Sequence, residues 1–63
     1  MPRARKGDYA RAVVAYDKAL ALEPDDEPAL INRGFSYHAL QDYDAAIQDF
    51  TAVIRLRPDA LSV

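Results

Sequence analysis

Cysteine is absent from this 63-residue chain, and so is tryptophan. Without thiols there are no disulfides and no thiolate metal sites. A single histidine, His38, rules out any site that needs two imidazoles. Glycine is scarce: Gly7 and Gly34 stand alone, so no glycine-rich loop is available to cradle a phosphate. No apolar run approaches the roughly 18 residues that a membrane helix needs. The opening Met1-Pro2-Arg3-Ala4-Arg5-Lys6 has the charge of a signal peptide's first segment. Asp8, Arg11 and Asp17 then interrupt the stretch that would have to be apolar.

An excess of one charge is also missing. Eight basic and ten acidic residues leave a formal net charge of −2, which offers no general attraction to nucleic acid or anionic lipid. Arg3, Arg5 and Lys6 crowd a basic tail, residues 1–6, that is read as solvated. The expectation is a soluble, cytoplasmic protein with no cofactor, no metal, no nucleic-acid partner and no membrane contact. A chain this short makes at most one marginal domain. Such chains often need a disulfide, a metal or a partner to bury enough surface.

What the chain does contain is a repeat. Shifted by 34 residues, Gly7-Asp8-Tyr9-Ala10-Arg11-Ala12-Val13 falls on Gln41-Asp42-Tyr43-Asp44-Ala45-Ala46-Ile47. Tyr16 then meets Phe50, Leu20 meets Ile54, Leu22 meets Leu56, and Pro24-Asp25 meets Pro58-Asp59. Within each copy, Tyr9, Ala12, Val13, Tyr16, Ala19 and Leu20, or Tyr43, Ala46, Ile47, Phe50, Val53 and Ile54, recur at steps of three and four. That spacing is one face of an α-helix. Leu30, Gly34, Tyr37 and Gln41 share one side of a further helix between them.

Pro24 and Pro58 each close a helix. Asp8 and Asp42 sit where an N-cap carboxylate is needed, and Asp25 or Asp26 can cap the middle helix, whose first turn tolerates Pro28. No segment alternates with period two, so no strand is expected. The spacing predicts an all-α fold of three helices at about 8–22, 27–40 and 43–57, with turns near Gly7, Asp25-Asp26 and Gln41-Asp42. The expected core is Tyr9, Ala12, Val13, Tyr16, Leu20, Leu30, Gly34, Tyr37, Ala46, Ile47, Phe50 and Ile54.

No catalytic residues emerge. Ser36 and His38 lie about 200° apart around a helix and cannot make a nucleophile–base pair. Asp42-x-Asp44 lacks the remaining ligands of a calcium loop, with Ala46 at the third position. Capping and solvation account for these acids. His38, four residues before Asp42, is read as a surface histidine that could form a modest ion pair at a helix end.

Leu30-x-x-Arg33-Gly34-x-x-Tyr37, followed by Ala46-x-x-x-Phe50 and Pro58, resembles the tetratricopeptide repeat pattern at its 34-residue spacing. Gly7-Asp8-Tyr9, Ala12-x-x-x-Tyr16 and Pro24 look like the second half of a preceding repeat. The resemblance implies an α-solenoid of helical hairpins: half a repeat at 7–26, a complete repeat at 27–60 and the start of another at 61–63. Three positions depart from the family pattern. Leu30 stands for the usual Trp. Arg33 stands for the usual Leu, which weakens a packing site or turns a long side chain outward. Gln41 stands for the Gly that lets the chain leave the first helix of a repeat in a left-handed conformation.

The same resemblance implies function. Family members bind or assemble other proteins and are not enzymes, and the first helix of each repeat lines a concave groove. Ile31, Asn32, Phe35 and His38 would face that groove and hold a peptide or protein segment. Chaperone-binding members use an Asn at the Asn32 position to hold a terminal carboxylate, but their flanking Lys, Asn and Arg residues have no counterpart here. The alternative is a self-assembling fragment that forms a homo-oligomer, because one and a half repeats leave apolar stripes uncovered. Stacked hairpins are one arrangement. Domain swapping is the other: with no Gly or Pro from Phe35 to Arg57, a helix running straight through Gln41 would make one rod from about 28 to 57.

Overall fold

The computed structural model describes residues 6–57. Within them the chain forms three helices, α1 (Lys6–Leu22), α2 (Glu27–Ala39) and α3 (Tyr43–Leu56), and no strand. The helices pack in chain order, α1 on α2 and α2 on α3. The ends of α2 and α3 fall within one residue of the sequence expectation, because both helices are punctuated locally.

Asp26 is the N-cap of α2, its carboxylate accepting from the Ala29 amide at 3.4 Å, and Pro28 sits in the first turn where a missing amide proton costs nothing. Asp42 caps α3 in the same way, accepting from the Ala45 amide at 3.5 Å. After α1 the chain turns through Pro24-Asp25, where the Asp26 amide donates to the Glu23 carbonyl at 3.1 Å. Pro58 lies outside the described residues.

Between α2 and α3 the hairpin is closed. Gln41 adopts φ 65°, the left-handed conformation. Its amide donates to the His38 carbonyl and that of Asp42 to the Tyr37 carbonyl, both at 2.9 Å. This pair of bonds is a Schellman ending, which satisfies the last carbonyls of α2 and reverses the chain. The residues from 27 to 57 are therefore a hairpin and not a rod.

The first turn of the chain differs from expectation. Among the described residues α1 runs from Lys6 through Gly7, whose φ is not positive, so Gly7 is helical and not part of a turn. Asp8 consequently lies within the first turn of α1 instead of capping it, where its negative charge still favours the positive end of the helix dipole.

Leu20, Ala29 and Leu30 form the centre of the core, with Tyr16, Ala19, Ala52 and Val53 packed around them. Val13, Gly34 and Ala46 are also buried. Tyr9, Ala12, Tyr16, Tyr37 and Phe50 are half-buried. Gly34 is required by packing: a Cβ there would stand 2.7 Å from Cε1 of Phe50. Two expected core residues are not in the core. Ile47 and Ile54 are 60% and 45% exposed, because no helix among the described residues lies over that side of α3.

Candidate functional site

α2 turns one side toward its neighbours through Ala29, Leu30 and Gly34, and the row one residue further round carries Ile31, Phe35 and His38. Ile31 is half-buried, while Asn32 and His38 are exposed. Phe35 is 60% exposed even though it is a large aromatic. What exposure it escapes comes from Phe50 of α3, whose ring lies edge-on with centroids 5.3 Å apart. His38 meets Tyr43 in the same way, also at 5.3 Å, so its neighbour at the hairpin tip is an aromatic ring and not the Asp42 carboxylate. The helical hairpin thus aligns Phe35 and His38 of α2 with Phe50 and Tyr43 of α3. Edge-to-face pairs of this kind fix ring orientation while leaving one face open to a ligand.

Ser36 takes no part in that surface. It is buried and its hydroxyl donates to the Asn32 carbonyl at 3.0 Å, one turn back along α2. Among the described residues there is no group of three or more His, Asp or Glu able to hold a metal ion.

Arg33 is where the structure departs most from the sequence reading. Its side chain neither weakens the packing nor points into solvent. It forms a two-pronged bond with Asp49 of α3, Nε to Oδ2 at 2.8 Å and Nη2 to Oδ1 at 2.6 Å. Nη1 reaches Asp17 of α1 at 2.7 Å. One guanidinium therefore ties α2 to both other helices. Asp49 is almost fully buried at 4% exposure, and a carboxylate that deep is tolerated because the planar fork satisfies both oxygens.

The hydrogen bond to Asp49 is the largest influence on Arg33. With that to Asp17 it outweighs burial and holds the guanidinium charged beyond the usual arginine range. Arg33 also lies 5.8 Å from the centre of the Tyr37 ring. Burial, the largest cause, raises the Tyr37 phenol above its ordinary value, against the opposing pull of Arg33. The only trace of this network in the sequence is an arginine on an otherwise apolar stripe. Its two acids do not match in the repeat, since Asp17 aligns with Thr51 and Asp49 with Ala15.

A cleft of about 430 Å³ runs along the outer side of α3, lined by Pro24, Leu30, Ile47, Thr51, Arg55 and Leu56 among others. Together with the exposed Tyr43, Ile47 and Ile54 it makes α3 the more open of the two hairpin helices.

Helices that pack in chain order, joined by a capped, left-handed turn and repeating at 34 residues, define an α-helical repeat scaffold. The tetratricopeptide repeat family model matches residues 3–63, and the chain belongs to that family. The tetratricopeptide repeat is a scaffold that generally binds protein partners, so the chain is a protein–protein interaction module. Protein PHOX3 of Arabidopsis thaliana is 38% identical over 52 residues, covering 82% of this chain and 6% of that protein. Human tetratricopeptide repeat protein 28 is 36% identical over 52 residues, again 82% of this chain but 2% of the relative. The mouse peptidyl-prolyl cis-trans isomerase FKBP4 is 36% identical over 50 residues, 79% of this chain and 11% of the enzyme. The chain thus spans a small part of each relative's length. No solved structure gives a significant match. No helix among the described residues is long and apolar enough to cross a membrane.

Proposed function

We propose that the chain binds a peptide or protein segment of another molecule along α2, with Phe35 as the apolar contact and Ile31, Asn32 and His38 beside it. The observation that carries this reading is the exposure of Phe35, held in orientation by Phe50. An exposed aromatic set among a polar amide and an imidazole can anchor a side chain and still discriminate by hydrogen bonds. We take 7–26, 27–60 and 61–63 as the repeat division, with α2 as the first helix of the complete repeat, the groove-lining helix in family members. On this reading the module acts without catalysis, in the cytoplasm. Neither Ser36, committed to a backbone carbonyl, nor His38, packed on Tyr43, is placed to activate the other.

Selection of a random peptide library on the immobilised 63-residue chain tests the reading. Selected peptides should carry an apolar or aromatic residue and lose about tenfold or more in affinity for a Phe35→Ala chain, as an anchor residue would require. Peptides that bind the Phe35→Ala chain equally well would show that the groove lies elsewhere.

A second reading, self-association into a homo-oligomer, is favoured by the exposure of Tyr43, Ile47 and Ile54 on one helix. Exchange of α3 between chains would require Gln41 to leave its left-handed conformation.

A further inference from the structure

The two copies of the repeated helix supply the starting observation. Tyr9, Val13, Tyr16 and Leu20 of α1 correspond to Tyr43, Ile47, Phe50 and Ile54 of α3. In α1 this face is covered by α2, and Val13 and Leu20 are buried. In α3, Phe50 is half-buried against Gly34 and Phe35 of α2, while Tyr43, Ile47 and Ile54 on the same face stand exposed among the described residues.

The open face of α3 is self-complementary in charge. Tyr43 and Ile54 are separated by eleven residues, as are Asp44 and Arg55. Eleven residues are just over three helical turns, so each pair lies on one line along the helix. The apolar line is Tyr43, Ile47 and Ile54, and Asp44 and Arg55 border it on one edge, with Thr51 between. Asp44 stands in the first turn of α3 and Arg55 in its last. Both are exposed, and neither is paired with another described residue.

We propose that this face binds a second copy of the chain, α3 against α3 and antiparallel, about a two-fold axis that crosses the helix beside Phe50 and Thr51. The proposal rests on the self-association reading and gives it a surface and a register. A two-fold axis makes each contact twice and brings like edges together. Ile47 then packs against the partner's Ile54, and Asp44 meets the partner's Arg55, with the same two contacts in reverse. The helix dipoles oppose one another, which adds to the pairing. In a parallel arrangement the two-fold would set the Asp44–Arg55 edges of the two helices on opposite sides of the seam, and neither ion pair could form.

Sedimentation velocity over a concentration series, with circular dichroism confirming helix content, tests the pairing. The unaltered chain should show a monomer–dimer equilibrium. Asp44→Arg alone should weaken the dimer roughly tenfold, because the two-fold turns two exposed pairs repulsive. Combining it with Arg55→Asp should restore most of the affinity.

Since the chain has no cysteine, cross-linking gives an independent measure that does not disturb the helix dipole. A mixture of Ile47→Cys and Ile54→Cys chains should form mixed disulfide dimers, and either chain alone should not. A monomer at every concentration would overturn both this pairing and self-association. A dimer indifferent to Asp44→Arg, or one in which Ile47→Cys chains cross-link to themselves, would overturn the α3 pairing while leaving self-association through another surface.

Discussion

Val13 and Leu20 of α1 are buried, whereas their counterparts 34 residues later, Ile47 and Ile54 of α3, stand exposed. The residues are of similar size and polarity, and the helices are of similar length. What differs is the neighbour: α2 packs over the Val13 and Leu20 side of α1, and no described helix lies over the Ile47 and Ile54 side of α3. In a repeat scaffold burial belongs to the stack and not to the single hairpin, since each unit completes its core against the next. The exposed side of α3 is then a place where another chain can complete it.

The covered side is also locked by charge, and that lock offers the largest way to break the comparison. Arg33→Leu restores the family's usual residue but leaves Asp49 buried without its partner. Losing one member of a buried pair costs about 3–5 kcal/mol, a large part of what a domain this small can hold. Urea denaturation of the variant should show that loss. A change under about 1 kcal/mol would mean that water reaches Asp49 readily and that the fork is a surface pair. Substituting Asp49→Leu together with Arg33→Leu should recover most of the stability, because the buried charge is then gone as well.

A smaller effect sharpens the comparison at the turns. Gln41, not Gly7, carries the positive φ. A non-glycine residue in that conformation costs about 1 kcal/mol, so Gln41→Gly should stabilise the chain by about that amount in the same denaturation experiment. The substitution also tests helix exchange. A dimer formed by straightening α2 into α3 should shift toward monomer in the Gly variant, and an unchanged assembly would exclude exchange.

Much of the fold was legible because its signals are local. Asp26 and Asp42 cap the helices that follow them, Pro24 ends the first, and Gly34 makes room for Phe50. Each of these follows from side-chain chemistry within a turn or from the absence of a Cβ. The groove candidates were legible only as a helical row, Ile31, Phe35 and His38. That Phe35 pairs with Phe50 and His38 with Tyr43 depends on how two helices lie together.

The Arg33 lock was hidden for the same reason, being sixteen residues from each of its acids. The exposure of Ile47 and Ile54 is not legible in the sequence, because periodicity tells which side of a helix is apolar, not what covers it. Gly7 occupies the position of the repeat pattern's turn glycine, yet glycine permits a left-handed turn without imposing one.

The most direct test of the contrast between the two faces is a matched pair of truncations, Leu20→Ala and Ile54→Ala, measured by denaturation at a dilution where the chain is monomeric. Leu20 fills the core beside Ala29 and Leu30, so its truncation should cost about 2–5 kcal/mol through lost burial and the cavity left behind. Ile54 touches solvent over much of its surface, and its truncation should cost less than about 1 kcal/mol. A gap of about 2 kcal/mol or more between the two supports one covered and one open face. Equal losses at the two positions would contradict it.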